Sequence, residues 1–251
     1  MTDIKIPNWK LTDNRFVVFL DILGFKDKVM RQSHKDIYNE MNKISSIIKN
    51  LEFVKQRDKL VYFNTTDIYV VSFSDSIIIF SKSDRTIDFE FILIALRYIF
   101  ANCIKSGIPI KGSMAHGLLS VNKSEQIYFG QPIIDAYLLE EEVNYMGVVF
   151  HNSIDKYIND NMSYFKFTNQ LYLKIKTPLK SGKIIHINLD WFYFASDRKN
   201  YSTEMKTDIQ NYLNKFYLSV SGSPRRYVDN TLEFFEESLK LGLLNTTEII
   251  L

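Results

Sequence analysis

The run Phe16-Val17-Val18-Phe19-Leu20-Asp21-Ile22-Leu23-Gly24-Phe25-Lys26 constrains this chain more than any other stretch. Consecutive apolar residues ending at Leu20 read as a strand covered on both faces, because such a strand needs no polar alternation. The strand ends on an acid, Asp21, and a glycine-containing turn and a helical pattern follow at once. A carboxylate at the tip of a buried strand loses hydration, which is costly unless a cation or a hydrogen-bond donor compensates. The turn behind it presents backbone N–H groups at a helix start, where a phosphate binds readily. An acid for a metal beside a turn for a phosphate points to a metal–nucleotide site. The alternative reading is an Asp that only caps the helix of residues 24–31.

A chain of 251 residues, 46% hydrophobic and 24% charged, has enough length for a substantial core. Its net charge of +2 gives no pull toward nucleic acid or a membrane surface, and neither partner is expected. No apolar run approaches bilayer length, and the first residues lack the basic-then-apolar pattern of a signal peptide. The cytoplasm is the expected location. The single cysteine, Cys103, lies in an apolar helical pattern and reads as a small core residue.

Three segments follow from the periodicity: a lead-in over 1–14, a main domain over 15–196 and a C-terminal helical extension over 197–251. Residues 15–20 form the first strand, and Ser33 caps a helix running to about 51. Residues 67–73 and 76–80 read as a hairpin with Ser74-Asp75 in its turn. A long helix over 86–106 and a strand over 108–117 complete the order β-α-β-β-α-β, the split unit of a ferredoxin-like α+β sheet. A short strand at 127–129 precedes a helix at 133–142 that opens with Pro132. Glu140, Glu141 and Glu142 read as its solvated end. A strand at 147–150, a helix at 154–159 capped by Ser153, and strands at 171–176 and 183–188 follow. Residues 197–203 read as a polar linker to two amphipathic helices, 204–218 and 227–241, with Arg225-Arg226 a surface pair.

In the split unit the first strand lies beside the hairpin, antiparallel to its neighbour, so its tip falls near the hairpin turn. Asp21 and Asp75 are thereby brought together despite their distance in sequence. Two close carboxylates repel unless something positive lies between them. A pair of divalent ions bridged by both resolves the repulsion and holds a triphosphate, and oxygen ligands favour Mg²⁺ or Mn²⁺.

With these residues assembled, the chain resembles the class III nucleotide cyclases. The matching stretches are Phe19-Leu20-Asp21-Ile22-Leu23-Gly24-Phe25, Phe73-Ser74-Asp75-Ser76, Lys111-Gly112-Ser113-Met114-Ala115-His116-Gly117 and Tyr128-Phe129-Gly130-Gln131-Pro132. The resemblance implies a mostly antiparallel cyclase core and two divalent cations held by Asp21, the Ile22 carbonyl and Asp75. It also implies a triphosphate cradled by the backbone of Leu23, Gly24, Phe25 and Lys26, and a homodimer whose sites draw on both copies.

Departures from the family pattern are equally informative. The purine cyclases place a Lys where this chain has Val71, and a second polar base reader where it has Ile127. Their transition-state Asn and Arg align with Ile134 and Leu138. A domain that has lost catalysis and a cyclase for another base both fit these changes. The retained acids favour the second, and the chain looks like the bacterial pyrimidine cyclases of anti-phage defence. That likeness implies conversion of UTP, or alternatively CTP, to the 3′,5′-cyclic monophosphate, which switches on a separate effector protein. Lys111 and Lys180 are candidates to replace the missing arginine on the phosphates, or else ordinary surface lysines. Tyr38 and His116 are candidate base contacts, with core packing as the alternative for each. The other readings are a nucleotide sensor without turnover and a polymerase-palm-like or diguanylate-type enzyme; Ser74-Asp75-Ser76 lacks the paired acids of the latter.

Overall fold

The computed structural model describes residues 9–56, 59–61, 68–165, 171–196 and 202–247. The strand β1 (Thr12–Ile22) feeds α1 (Phe25–Arg31) and α2 (His34–Lys49), followed by a small ribbon of β2 (Val54–Gln56) and β3 (Lys59–Val61) that the periodicity did not foretell. The hairpin β4 (Ile68–Phe73) and β5 (Ser76–Ser81) leads into α3 (Thr86–Lys105) and the long β6 (Ile110–Asn122). Then come β7 (Ile127–Phe129), α4 (Gln131–Glu142), β8 (Val148–Phe150), α5 (Asn152–Asp160) and α6 (Met162–Phe165). The strands β9 (Tyr172–Leu179) and β10 (Gly182–Leu189), the short α7 (Phe192–Ala195), and the helices α8 (Thr203–Tyr217) and α9 (Arg225–Thr247) complete the described chain.

The main sheet has the order β4-β5-β1-β6-β8-β10-β9, with β7 on β6. Its strand pairs are antiparallel apart from β6 with β8. The first strand therefore lies between the hairpin and β6, as the split α+β unit requires. Its side chains alternate between two apolar layers. Phe16, Val18, Leu20 and Ile22 enter the main core with α3, whereas Val17 joins Phe80, Leu119 and Val121 on the other face. Full burial of such a side chain stabilises by roughly 1.5–3 kcal/mol, which explains the absence of polar alternation up to Leu20.

Helix α2 starts where Ser33 accepts a hydrogen bond from the Asp36 amide at 3.2 Å, the cap expected from its sequence. The C-terminal helices join the main core, α8 through Met205, Ile209 and Leu213 against α3, α7 and α9, and α9 through Phe234 and Phe235 with contacts to β9. The linker expected over 197–203 lies outside the described residues up to 201; Ser202 already caps α8.

Four expectations change. From residue 9 onward the lead-in is engaged: Arg15 is fully buried, its guanidinium donates to the Lys10 carbonyl at 2.6 Å, and the Val121 amide donates to the Leu11 carbonyl at 2.8 Å. Lys123 seals this end of β1, its ammonium 3.6 Å from the centre of the Trp9 ring. The cap of α5 is His151, whose Nδ1 accepts from the Ser153 amide; the Ser153 hydroxyl instead accepts from the His116 amide at 2.9 Å. Arg225 is no free surface charge, because its guanidinium stacks 3.8 Å over the Tyr217 ring. The end of α4 is not uniformly solvated either: Glu140 is buried.

Candidate active site

Asp21 ends the pairing of β1 with β5, opposite Ser76, and faces Lys111 of β6 one residue before that ladder ends. The hairpin turn next to it is tight, and Ser74 holds a left-handed φ of 56° that lets the chain reverse before Asp75. The Ile22 amide donates to the Asp75 carbonyl at 3.1 Å, which fixes the turn to the tip of β1. Both carboxylates are half-buried at this corner. Burial, reinforced by the charges of Glu140 and Asp75, pushes the Asp21 carboxyl up to about 7; the Lys111 charge opposes the rise. Two half-buried carboxylates brought to one corner repel, and a cation between them would relieve that repulsion.

The donor set at this corner is the fit test for the metals that the resemblance to cyclases implies. The donors at hand are two carboxylates and the Ile22 carbonyl, an all-oxygen set suited to Mg²⁺ or Mn²⁺. Among the described residues, no group of three or more His, Cys, Asp or Glu is placed to hold a metal ion, so the site offers two acids only. Behind Asp21, Gly24 takes φ 73° and releases the chain into α1. The Leu23 amide donates to the Pro109 carbonyl at 2.9 Å and is not free for a phosphate. The amides that follow, at Gly24, Phe25 and Lys26, begin a helix and have no acceptor within it.

The remaining predicted residues separate into those near the corner and those away from it. Lys111 is close but buried: its ammonium donates to the Glu140 carbonyl at 2.8 Å and forms an ion pair with the Glu140 carboxylate at 2.9 Å. It is neither a surface lysine nor an open phosphate ligand. Lys180 stands exposed in the β9–β10 turn, whose amide donates to the Glu142 carbonyl at 2.7 Å, and its charge is felt by Glu140 and Tyr227. Val71 shares Asp21's face of the sheet, since it pairs with Ile78, which pairs with Phe19.

His116 does not join them. It pairs with Phe16 on the opposite face of the sheet, five residues along β6 from Lys111, or roughly 17 Å at strand spacing. Its Nε2 lies 3.2 Å from the Asp84 carboxylate, and its ring packs on Phe16 and Tyr157, so the packed reading holds. Tyr38 is exposed on α2 rather than packed in the core. Ile127 is exposed on β7, where it pairs with Asn122; its neighbour Tyr128 carries the apolar side toward Val17.

Two residues escaped the sequence reading. Glu140 was hidden in an acidic run, although its spacing of four from the buried Ala136 and eight from the buried Pro132 marks it as part of the inward stripe of α4. Tyr227 comes from the start of α9, its ring centre 6.0 Å from the Lys111 ammonium. No local signal in the sequence tied that helix to β1.

No family model and no curated protein sequence matches the chain. Solved structures do. A bacterial light-regulated adenylyl cyclase superposes with a TM-score of 0.50 at 10% identity, covering 81% of this chain and 100% of that one. The catalytic core of a rhodopsin-guanylyl cyclase with converted specificity, in complex with ATPαS, gives 0.47 at 15% identity over 70% of this chain and 94% of that one. The first of these likenesses establishes the fold: this is the mixed, mostly antiparallel α+β architecture of a class III nucleotide cyclase core.

Proposed function

We propose that this chain is a metal-dependent nucleotide cyclase acting on a pyrimidine triphosphate, with UTP preferred to CTP, and making the 3′,5′-cyclic monophosphate and pyrophosphate. The observation that carries the proposal is the apposition of Asp21 and Asp75 at one corner of a cyclase fold, where burial makes their charges costly. The pyrimidine assignment rests on Val71 and Ile127, apolar where purine cyclases place polar readers. A purine pocket stripped of its donors loses its discrimination, because unmatched polar groups are what reject the wrong base. The purine specificities named for the two solved structures belong to those proteins.

In this reading the ribose 3′-oxygen attacks the α-phosphorus, its proton is lost to water, and the bond to the β-phosphate oxygen breaks to release pyrophosphate. Asp21, Asp75 and the Ile22 carbonyl would hold two divalent cations, which lower the hydroxyl pKa and neutralise the leaving charge. The amides of Gly24, Phe25 and Lys26 would orient the phosphates, and the exposed Lys180 would add a positive charge beside the corner. A second copy completes the site, bound through the apolar face that α4 exposes with Ile134, Tyr137 and Leu138. The cyclic product acts as a second messenger for a separate effector in antiviral defence, the role implied by the likeness to pyrimidine cyclases.

A second reading is a nucleotide sensor without turnover, favoured by the Lys111 ammonium being committed to Glu140. One assay separates the two. Incubation with Mn²⁺ and each of the four nucleoside triphosphates, with products resolved by mass, should convert mainly one pyrimidine triphosphate. Turnover of ATP or GTP alone overturns the base assignment, and tight binding without product establishes the sensor.

A further inference from the structure

Asp21 and Lys111 are directly opposite one another on β1 and β6, and cross-strand partners point to the same face. An acid and a lysine so placed ordinarily pair. Here they do not: among the described residues no hydrogen bond or ion pair joins them. The Lys111 ammonium is turned instead toward the end of α4. It meets the Glu140 carboxylate at 2.9 Å, the Glu140 carbonyl at 2.8 Å and the Val143 carbonyl at 3.3 Å. The side chains of both ion-pair partners are nearly inaccessible, at 7% and 5% exposure. Tyr227 of α9 covers the ammonium from a further side.

A buried ion pair is an expensive way to hold a fold together, because two desolvated charges seldom regain what hydration gave them. An apolar pair of the same volume would close α4 onto β6 as well. What the ion pair does that an apolar pair cannot is direct the lysine's charge. We propose that Glu140 is a positioning residue of the metal site: it holds the Lys111 ammonium off Asp21, so that Asp21 is left to a divalent cation. With Glu140 neutral, Lys111 keeps only the two neutral carbonyl partners, and its charge is drawn back to its cross-strand neighbour to compete with the cation for the same carboxylate. The inference rests on the reading of Asp21 as a cation ligand.

The test is Mn²⁺ binding to the nucleotide-free protein, read by calorimetry and by the electron paramagnetic resonance signal of free Mn²⁺, with circular dichroism reporting the fold of each variant. Glu140→Gln is expected to weaken Mn²⁺ binding by about tenfold or more, the range in which changes behind a metal ligand fall. The double variant Lys111→Met/Glu140→Gln removes the competing ammonium and is expected to return the affinity to the wild-type value. A purely structural role for the pair predicts no such rescue. Unchanged affinity in Glu140→Gln, or a folded double variant as weak as the single one, overturns the proposal. Should Glu140→Gln not fold, the double variant decides alone: wild-type affinity supports the proposal and weakened affinity overturns it. Asp21→Asn separates the two levels of the argument. If it binds Mn²⁺ as well as wild type does, the cation reading of Asp21 fails and this inference fails with it; if it alone loses Mn²⁺ while Glu140→Gln keeps it, only this inference fails.

Discussion

The Ile22 amide and the Asp75 carbonyl are joined by a hydrogen bond of 3.1 Å that ties the tip of the central strand to the turn of the neighbouring hairpin. Through that one contact, two acids remote in sequence share a corner whose geometry is set by backbone rather than by flexible side chains.

The charge at this corner has a consequence for stability. Asp21 has an ordinary value of 3.8 and is pushed up to about 7 in the fold. Between those values the native state holds more protons than the unfolded chain, so stability falls as pH rises. In a chelator, the thermal midpoint of the wild-type protein should drop across that window, and Asp21→Asn should flatten the drop. Mn²⁺ added near neutral pH should restore the wild-type midpoint and leave Asp21→Asn unmoved. A flat wild-type profile would refute the buried-acid account.

Gly112 of β6 lies directly across from Leu20. A Cβ at this position would fall inside contact distance of the Phe19 carbonyl and the Leu20 side chain. Gly112→Ala should therefore destabilise the protein by about 1–3 kcal/mol, the usual cost of overpacking a core. Urea denaturation followed by fluorescence measures it, and a midpoint equal to wild type would show that the sheet yields there at no cost.

Leu138 is 55% exposed beside Ile134 and Tyr137 on the outer face of α4. If this face binds a second copy, Leu138→Glu should elute as a monomer in size-exclusion chromatography with multi-angle scattering and lose turnover, while its far-ultraviolet circular dichroism stays unchanged. Dimers of undiminished activity would place the contact elsewhere.

Cys103 has no exposed surface, and burial pushes its thiol up to about 12. A thiolate-selective reagent should leave the native protein untouched and label it stoichiometrically once denatured. Rapid labelling of the folded chain would contradict the packing of α3.

The legible parts of this molecule were those where local pattern and topology agree. The apolar run ending at Leu20, the breaks at Gly24 and Ser33, and the hairpin about Ser74-Asp75 each announce a strand, a helix or a turn. Their order alone brings Asp21 beside Asp75. Glu140 escaped because a run of three acids at a helix end looks like solvated surface. Its burial is decided by Lys111, which reaches it from a strand on the far side of a loop. His116 sits in a stretch that resembles the family motif, but strand alternation turns it to the face opposite Asp21. Tyr227 was invisible for a simpler reason: an amphipathic helix shows that it packs, not on what.

The central strand is fastened at both ends, by the Trp9–Lys123 contact and the Arg15 bonds at one and by the Ile22–Asp75 bond at the other. Between them it is laced to β5 and β6 on either side. A pull on the chain preceding Trp9 along this axis would load those two ladders in shear, with many bonds resisting at once, rather than peel them open one by one. β1, held along both edges, is thus a rigid mount for the carboxylate of Asp21 at its tip.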